Sequence, residues 1–199
     1  MSFRLSVQQG NMFYRPLVLL LLAGGALFHL ASLASMSSEA SSPKLEVRLK
    51  SASIPASFDA PTVSVAIQVA VHNHAASPVT LLSWGSPLDP RANLLGVFEI
   101  RDAATGEAVA LDTVKFARKL PPPAEDFVEI PPGEAAEVEV TLPRVPLVEG
   151  RPYAIQAKGW WQAVWEQPLG DVPAGDREKL AGALRGSFES SAVEIRSRG

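Results

Sequence analysis

Between positions 63 and 71 the chain reads VSVAIQVAV, with Val63, Val65, Ile67, Val69 and Val71 alternating with Ser64, Ala66, Gln68 and Ala70. Successive side chains of a strand point to opposite faces, so a period of two gives one apolar and one more polar face and fits no helix of 3.6 residues per turn. The run would span ~30 Å as a strand. The same period recurs along the chain: Leu45, Val47 and Leu49; Val79 and Leu81, in a strand ending near Trp84; Phe98 and Ile100; residues 127–130; Ala136, Val138, Val140 and Leu142; Tyr153, Ile155 and Ala157; and residues 192–196. Turn signals fall between them: DAATG at 102–106, ahead of a returning strand at 108–111, and Pro131-Pro132-Gly133. Short alternating strands of this kind suit antiparallel sheets with one face in water. Their spacing predicts two stacked sheets. A parallel sheet would need continuously apolar strands and crossover helices, and neither is visible. About twenty inward side chains at ~1.5–3 kcal/mol each suffice for one core.

One stretch leaves this period. Residues 172–185 (VPAGDREKLAGALR) cluster charges at Asp176, Arg177, Glu178 and Lys179 and then place Leu180 and Leu184 four apart. That predicts one short helix near the C-terminus, with Gly186 as its stop, connecting strands and packing its leucines on the sandwich edge; a lid or partner-binding helix is the functional alternative.

The amino terminus is different in kind. In residues 1–34 only Arg4 and Arg15 are charged, and 17–34 (LVLLLLAGGALFHLASLA) is broken only by His29 and Ser32. A basic start, an apolar middle and small residues at Ser32-Leu33-Ala34 make a signal peptide cut after Ala34. The rival is a retained hydrophobic anchor helix, since eighteen residues rise ~27 Å, enough for a thin bilayer. Gly24, Gly25 and His29 weaken it. Starts at Met12 or Met36 are further alternatives, the latter leaving a cytoplasmic protein. Residues 35–43 (SMSSEASSP) read as a flexible linker before a domain spanning 44–199.

Composition removes several function classes. The chain of 199 residues has no cysteine, so it has no disulfide framework, thiol nucleophile or thiolate metal site. Its net charge is −3. Loss of Arg4 and Arg15 with the leader takes it to −5. Neither value suits a nucleic-acid binder. Asn11, Asn73 and Asn93 are the asparagines and none starts a glycosylation sequon. No P-loop, dinucleotide fingerprint, nucleophile elbow or His-Glu-x-x-His motif is present. Glu125-Asp126 reads as a solvated turn, and Glu137 and Glu139 fall on the outer face of their strand, so no desolvated general acid is expected. His72 and His74 share a strand face and could start a copper or zinc site. No third ligand lies near in sequence, so the expected metal set and cofactor set are both empty.

The aromatic residues carry more information. Trp160, Trp161 and Trp165 lie within six residues, and Trp84 ends an earlier strand. In an extended segment Trp161 and Trp165 share one face and Trp160 takes the other, so one set is core and one is exposed. The four tryptophans are the candidate binding residues, as a protein-binding platform or a sugar-stacking one. Pro121-Pro122-Pro123 reads as a stiff connection, with a polyproline ligand as the alternative.

In order along the chain, LEVRL, VHNHAASPVTLLSW, FVEIPPGEAAEVEVTL, YAIQAKG and GSFESSAVEI resemble the immunoglobulin-like propeptide domain of fungal deuterolysin-type metalloendopeptidases and, more loosely, intracellular proteinase-inhibitor domains. The matching elements are the Asn73 turn, Pro132-Gly133-Glu134 ahead of a strand, and the Ser-rich closing strand at 190–195. The sequence departs from those peptidases in lacking their zinc-binding helix and third aspartate ligand. The resemblance therefore implies an all-β, immunoglobulin-like antiparallel sandwich without peptidase activity. It would be a secreted or membrane-anchored interaction domain for a protein partner, with a carbohydrate-binding module or a weak metal-binding domain as alternatives. Membrane contact is expected only through residues 17–34, if they are retained.

Overall fold

The computed structural model describes residues 42–55, 58 and 60–196. The leader, its hydrophobic helix and most of the 35–43 linker lie outside the described residues.

The first sheet has the order β1-β2-β6, from β1 (Leu45–Ser53), β2 (Val63–Asn73) and β6 (Ala135–Val145). All its pairings are antiparallel, with Val47 opposite Val71 and Val69 opposite Val138. The second sheet holds β3 (Val79–Leu82), β4 (Phe98–Asp102), β5 (Phe127–Ile130), β7 (Pro152–Trp165), β8 (Leu184–Glu189) and β9 (Val193–Arg196). β7 is its spine. Ile155 pairs with both Ile100 of β4 and Val193 of β9, and Val164 pairs with both Leu81 of β3 and Leu184 of β8. β3 and β4 therefore lie on one side of β7, as two pieces of a single strand line. Residues 83–97 interrupt that line, and the Lys158 amide donating to the Val97 carbonyl at 2.9 Å resumes it.

One core joins the two sheets. Val65, Ile67, Val69 and Val71 of β2 are wholly buried, and they belong to the same cluster as Leu81, Ile100, Ile155 and Trp161 of the other sheet. The alternation that marked β2 in the sequence thus faces the second sheet. Trp161 packs on Phe188 with ring centroids 4.6 Å apart. A Cβ on Gly159 would stand 2.6 Å from the Phe188 ring, so glycine is what lets this aromatic pair close against β7.

Two polar anchors fix the sandwich ends. Where the chain crosses from β6 to β7, the Val148 amide donates to the Tyr153 hydroxyl at 2.8 Å, the tyrosine corner of Greek-key sandwiches. At the end of β2, the buried Asn73 side chain donates to the carbonyls of Ser77 at 2.9 Å and Ile130 at 3.0 Å and accepts from the Ala75 amide at 2.8 Å. The Asn73 backbone bonds Gly133 and Glu134. The Asn turn and the Pro-Gly-Glu turn, separate signals in the sequence, are one hydrogen-bonded unit.

Three local expectations change. The helix predicted over 172–185 is a single short one, α1 (Ala174–Lys179). It stops at Leu180, whose φ of 52 is left-handed, and not at Gly186. Gly186 instead lies in β8, because Leu184, Gly186 and Phe188 supply strand-spaced small and apolar groups to β7. The returning strand expected at 108–111 shrinks to one bridge, Arg101 to Ala108, before the chain turns away. Finally, Trp161 and Trp165 do not share a face. A bulge between Trp161 and Val164 shifts the register by one residue. Val164 thereby joins Trp161 in the main core, while Ala163 and Trp165 turn to a second cluster with Leu82, Trp84 and Val172. Alternation counts residues, and a bulge inserts one that sequence does not mark.

Candidate functional site

The interrupted strand line builds the most distinctive surface. After β3 the chain turns through Ser83, Trp84 and Gly85 into the 83–97 insertion, which one carboxylate organises. Asp89 is buried, with a side-chain exposure of 0%. It accepts from the Gly85 amide at 2.9 Å and the Arg91 amide at 2.9 Å, and pairs with the Arg118 guanidinium at 2.6 Å. A buried charge is tolerated only when paired and hydrogen-bonded in this way. Arg118 comes from the long segment 103–126, which crosses the insertion as a strap. A second tie is the Val114 amide donating to the Leu94 carbonyl at 2.8 Å.

Cation–ring contacts complete the stitching. The Arg118 guanidinium lies 5.3 Å from the Trp84 ring centre, and that of Arg91 lies 4.6 Å from the Phe116 ring centre. The Trp84 ring N–H donates to Asp126 at 2.5 Å. Between these parts lies an open groove of about 430 Å³, lined by Trp84, Gly85, Leu95, Phe116, Arg118, Leu120, Gln162 and Leu180. A second hollow of about 210 Å³ lies between Pro121, Pro122 and Phe127 and the Ala174 and Arg177 side of α1. Pro122 is buried, so the triple proline is a wall.

The four candidate tryptophans divide by burial. Trp161 is 1% exposed inside the main core. Trp165 is buried in the second cluster, where its ring N–H donates to the Ala181 carbonyl at 3.1 Å. Neither offers surface to a ligand. Trp84 is buried along most of its ring yet forms a wall of the groove. Trp160 is 50% exposed. It stands two residues from Gln162, where residues 83–97 take the neighbouring strand away from β7. Sequence reading missed Phe116, Arg118, Leu120 and Asp89. The available signal was KFARKL at 115–120, a run mixing cations with large apolar groups in a segment without strand period.

The histidine pair has a different neighbourhood from the one its sequence suggests. His72 and His74 stack with ring centroids 6.2 Å apart. Glu46 of β1, opposite His72 in the register, comes within 2.6 Å of the His74 ring. That carboxylate also takes two bonds from Arg48, and these, ahead of His74, hold its pKa down to about 2. Its lone pairs are thus already engaged. Among the described residues no group of three histidine, cysteine or acidic side chains is arranged to hold a metal ion. Glu137 and Glu139 lie on the outer face of β6, on Lys50 and Gln68 respectively. Asp126 is the exception to the solvated-turn expectation, being the partner of Trp84. Among the described residues no helix is long and apolar enough to cross a membrane.

Residues 44–197 match the immunoglobulin-like domain family. An uncharacterized secreted protein of Arthroderma benhamiae is 44% identical over 133 residues, covering 65% of this chain and 67% of its own. The X-ray structure of a Northeast Structural Genomics Consortium target aligns with a TM-score of 0.43 and 9% identity over 79% of this chain and 90% of that one, too loose a likeness to argue from. With a matched span that runs from before β1 to the end of β9, the chain belongs to the immunoglobulin-like domain family.

Proposed function

We propose that the protein is a secreted, non-catalytic immunoglobulin-like module that works by contact with a protein partner through the groove and its strap. One observation carries this reading. Among the described residues, five large apolar side chains are exposed, and three of them, Val114 at 47%, Phe116 at 38% and Leu120 at 58%, sit on the strap. Trp160, at 50%, is a fourth. Scattered exposed apolar groups are ordinary, whereas a group gathered beside a groove suits a binding surface. Secretion draws support from the apolar leader at 17–34 and from the relative named as secreted. Mass spectrometry of the natural protein's amino terminus tests it: Ser35 as first residue supports export, and a start at Met36 ends it.

The propeptide-like resemblance favours a protein-facing role, such as an inhibitor or folding assistant. The half-exposed Trp160 beside Gln162 favours a second reading, carbohydrate stacking. Tryptophan fluorescence titrations with cell-wall glycans and with metallopeptidases separate them. Quenching by a glycan that disappears in Trp160→Ala supports stacking. Peptidase binding that weakens in a Phe116→Ser, Leu120→Ser double variant supports the protein contact. Binding unchanged in both variants removes this face from the function.

A further inference from the structure

The groove's chemistry narrows the partner, and this step rests on the contact reading above. The whole chain is acidic, at −3, yet the strap reads VKFARKL over 114–120 and Arg91 joins it over Phe116. Phe116, Arg118 and Leu120, two residues apart, line the groove, while Lys115, just before them, and Lys119, between Arg118 and Leu120, are exposed. Two carboxylates bonded to groove-lining residues are engaged: Asp89 by Arg118 and backbone amides, and Asp126 by the Trp84 ring N–H. Among the described residues, Lys115, Lys119 and Arg91 form no ion pair within 4 Å, whereas Arg118 is paired with Asp89. Around the groove, the four cations Arg91, Lys115, Arg118 and Lys119 thus outnumber the two carboxylates Asp89 and Asp126 on a molecule that is negative as a whole, and such an excess steers anionic groups arriving within a Debye length of ~8–10 Å.

We infer that the groove takes an extended acidic segment of a partner protein, seating a large apolar side chain between Trp84, Phe116 and Leu120 while flanking carboxylates meet Lys115, Lys119 and Arg91. The hollow's size and apolar walls fit side-chain anchoring. Opposite charge on the partner sets orientation and encounter rate more than raw affinity. A flat lipid surface would use the same cations but would have no use for a concave groove walled by Trp84 and Leu180.

The test is selection of an unbiased displayed library of peptides of roughly twelve residues, ~40 Å when extended, on the natural protein, its Lys115→Glu, Lys119→Glu variant and its Phe116→Ser variant. Both variants alter exposed side chains, and unchanged thermal midpoints check that they fold. The inference predicts peptides rich in Asp and Glu around one large apolar residue. Their binding should weaken about tenfold or more in each variant, and should weaken further with added salt. Neutral or basic peptides that still depend on Phe116 overturn the acidic class but keep the groove as a docking site. Peptides indifferent to both variants overturn both readings, as does a failure to enrich any. Binding of phosphatidylglycerol vesicles without peptide enrichment overturns the inference in favour of a lipid surface.

Discussion

Trp160 and Trp161 are neighbours in one strand and sit in opposite environments, one half in solvent and one sealed between the sheets. The contrast extends to the regions around them. On the inner side, every strand of both sheets supplies a side chain to one buried apolar cluster, β5 doing so through Ile130. On the outer side, the 83–97 insertion sends Ala92 and Val97 into that cluster, while the strap beyond Leu111 is tied by polar and cation–ring contacts and leaves large apolar groups exposed. The inner region has the chemistry of a scaffold, and the outer region carries the exposed apolar groups on which the proposed contact rests. Mutations should separate them.

The largest effect is expected inside. Trp161→Ala removes the fully buried indole and its Phe188 contact and should cost about 3–5 kcal/mol in urea unfolding. A loss below about 1 kcal/mol would place Trp161 outside a close-packed core. Asn73→Ala should follow at about 2–3 kcal/mol, since it strands several buried backbone groups at once. Chemical denaturation of both in one buffer makes the ranking direct. Asp89→Ala should cost about 2 kcal/mol, less than Trp161→Ala because Arg118 keeps some solvent. In a double-mutant cycle with Arg118→Ala, additive losses would break the account of how the strap is tied to the insertion. Trp160→Ala should change stability by less than about 0.5 kcal/mol. A loss equal to that of Trp161→Ala would erase the distinction between the two faces.

The smallest effect is electrostatic. Glu46, held at a pKa of about 2 against an ordinary 4.5, stabilises the folded state above the ordinary value and loses that contribution as pH falls through the lower one. Asp102 behaves with the same sign. Its carboxyl is held below the usual range first by the Ala104 and Thr105 amides and only then by Arg151. Thermal midpoints should therefore decline in acid, less steeply in Glu46→Gln and in Asp102→Asn. Because Glu46 is exposed, added salt should shrink its part.

The scaffold was legible in the sequence because its period is written in single residues. Val63 to Val71 needed only alternation to predict β2, and Pro132-Gly133 to predict the turn before β6. The β7 bulge was not legible, since Trp161, Gln162, Ala163, Val164 and Trp165 carry no mark of which residue is extra. β8 was hidden by the charged stretch ahead of it, whose helical composition ran on past the left-handed turn at Leu180. The groove was least legible. Its residues come from positions 84 to 180 and meet only because β3 and β4 are one strand line interrupted opposite Trp160. His72 and His74 were read as a pair lacking a carboxylate, and register alone brings Glu46 to them.

The division between scaffold and surface is tested most directly by the four tryptophan indole N–H signals in an NMR spectrum with a soluble paramagnetic probe. The account predicts strong attenuation of the Trp160 signal and persistence of Trp161 and Trp165, with Trp84 between them. A protected Trp160, or a Trp161 signal lost as readily as that of Trp160, would contradict it.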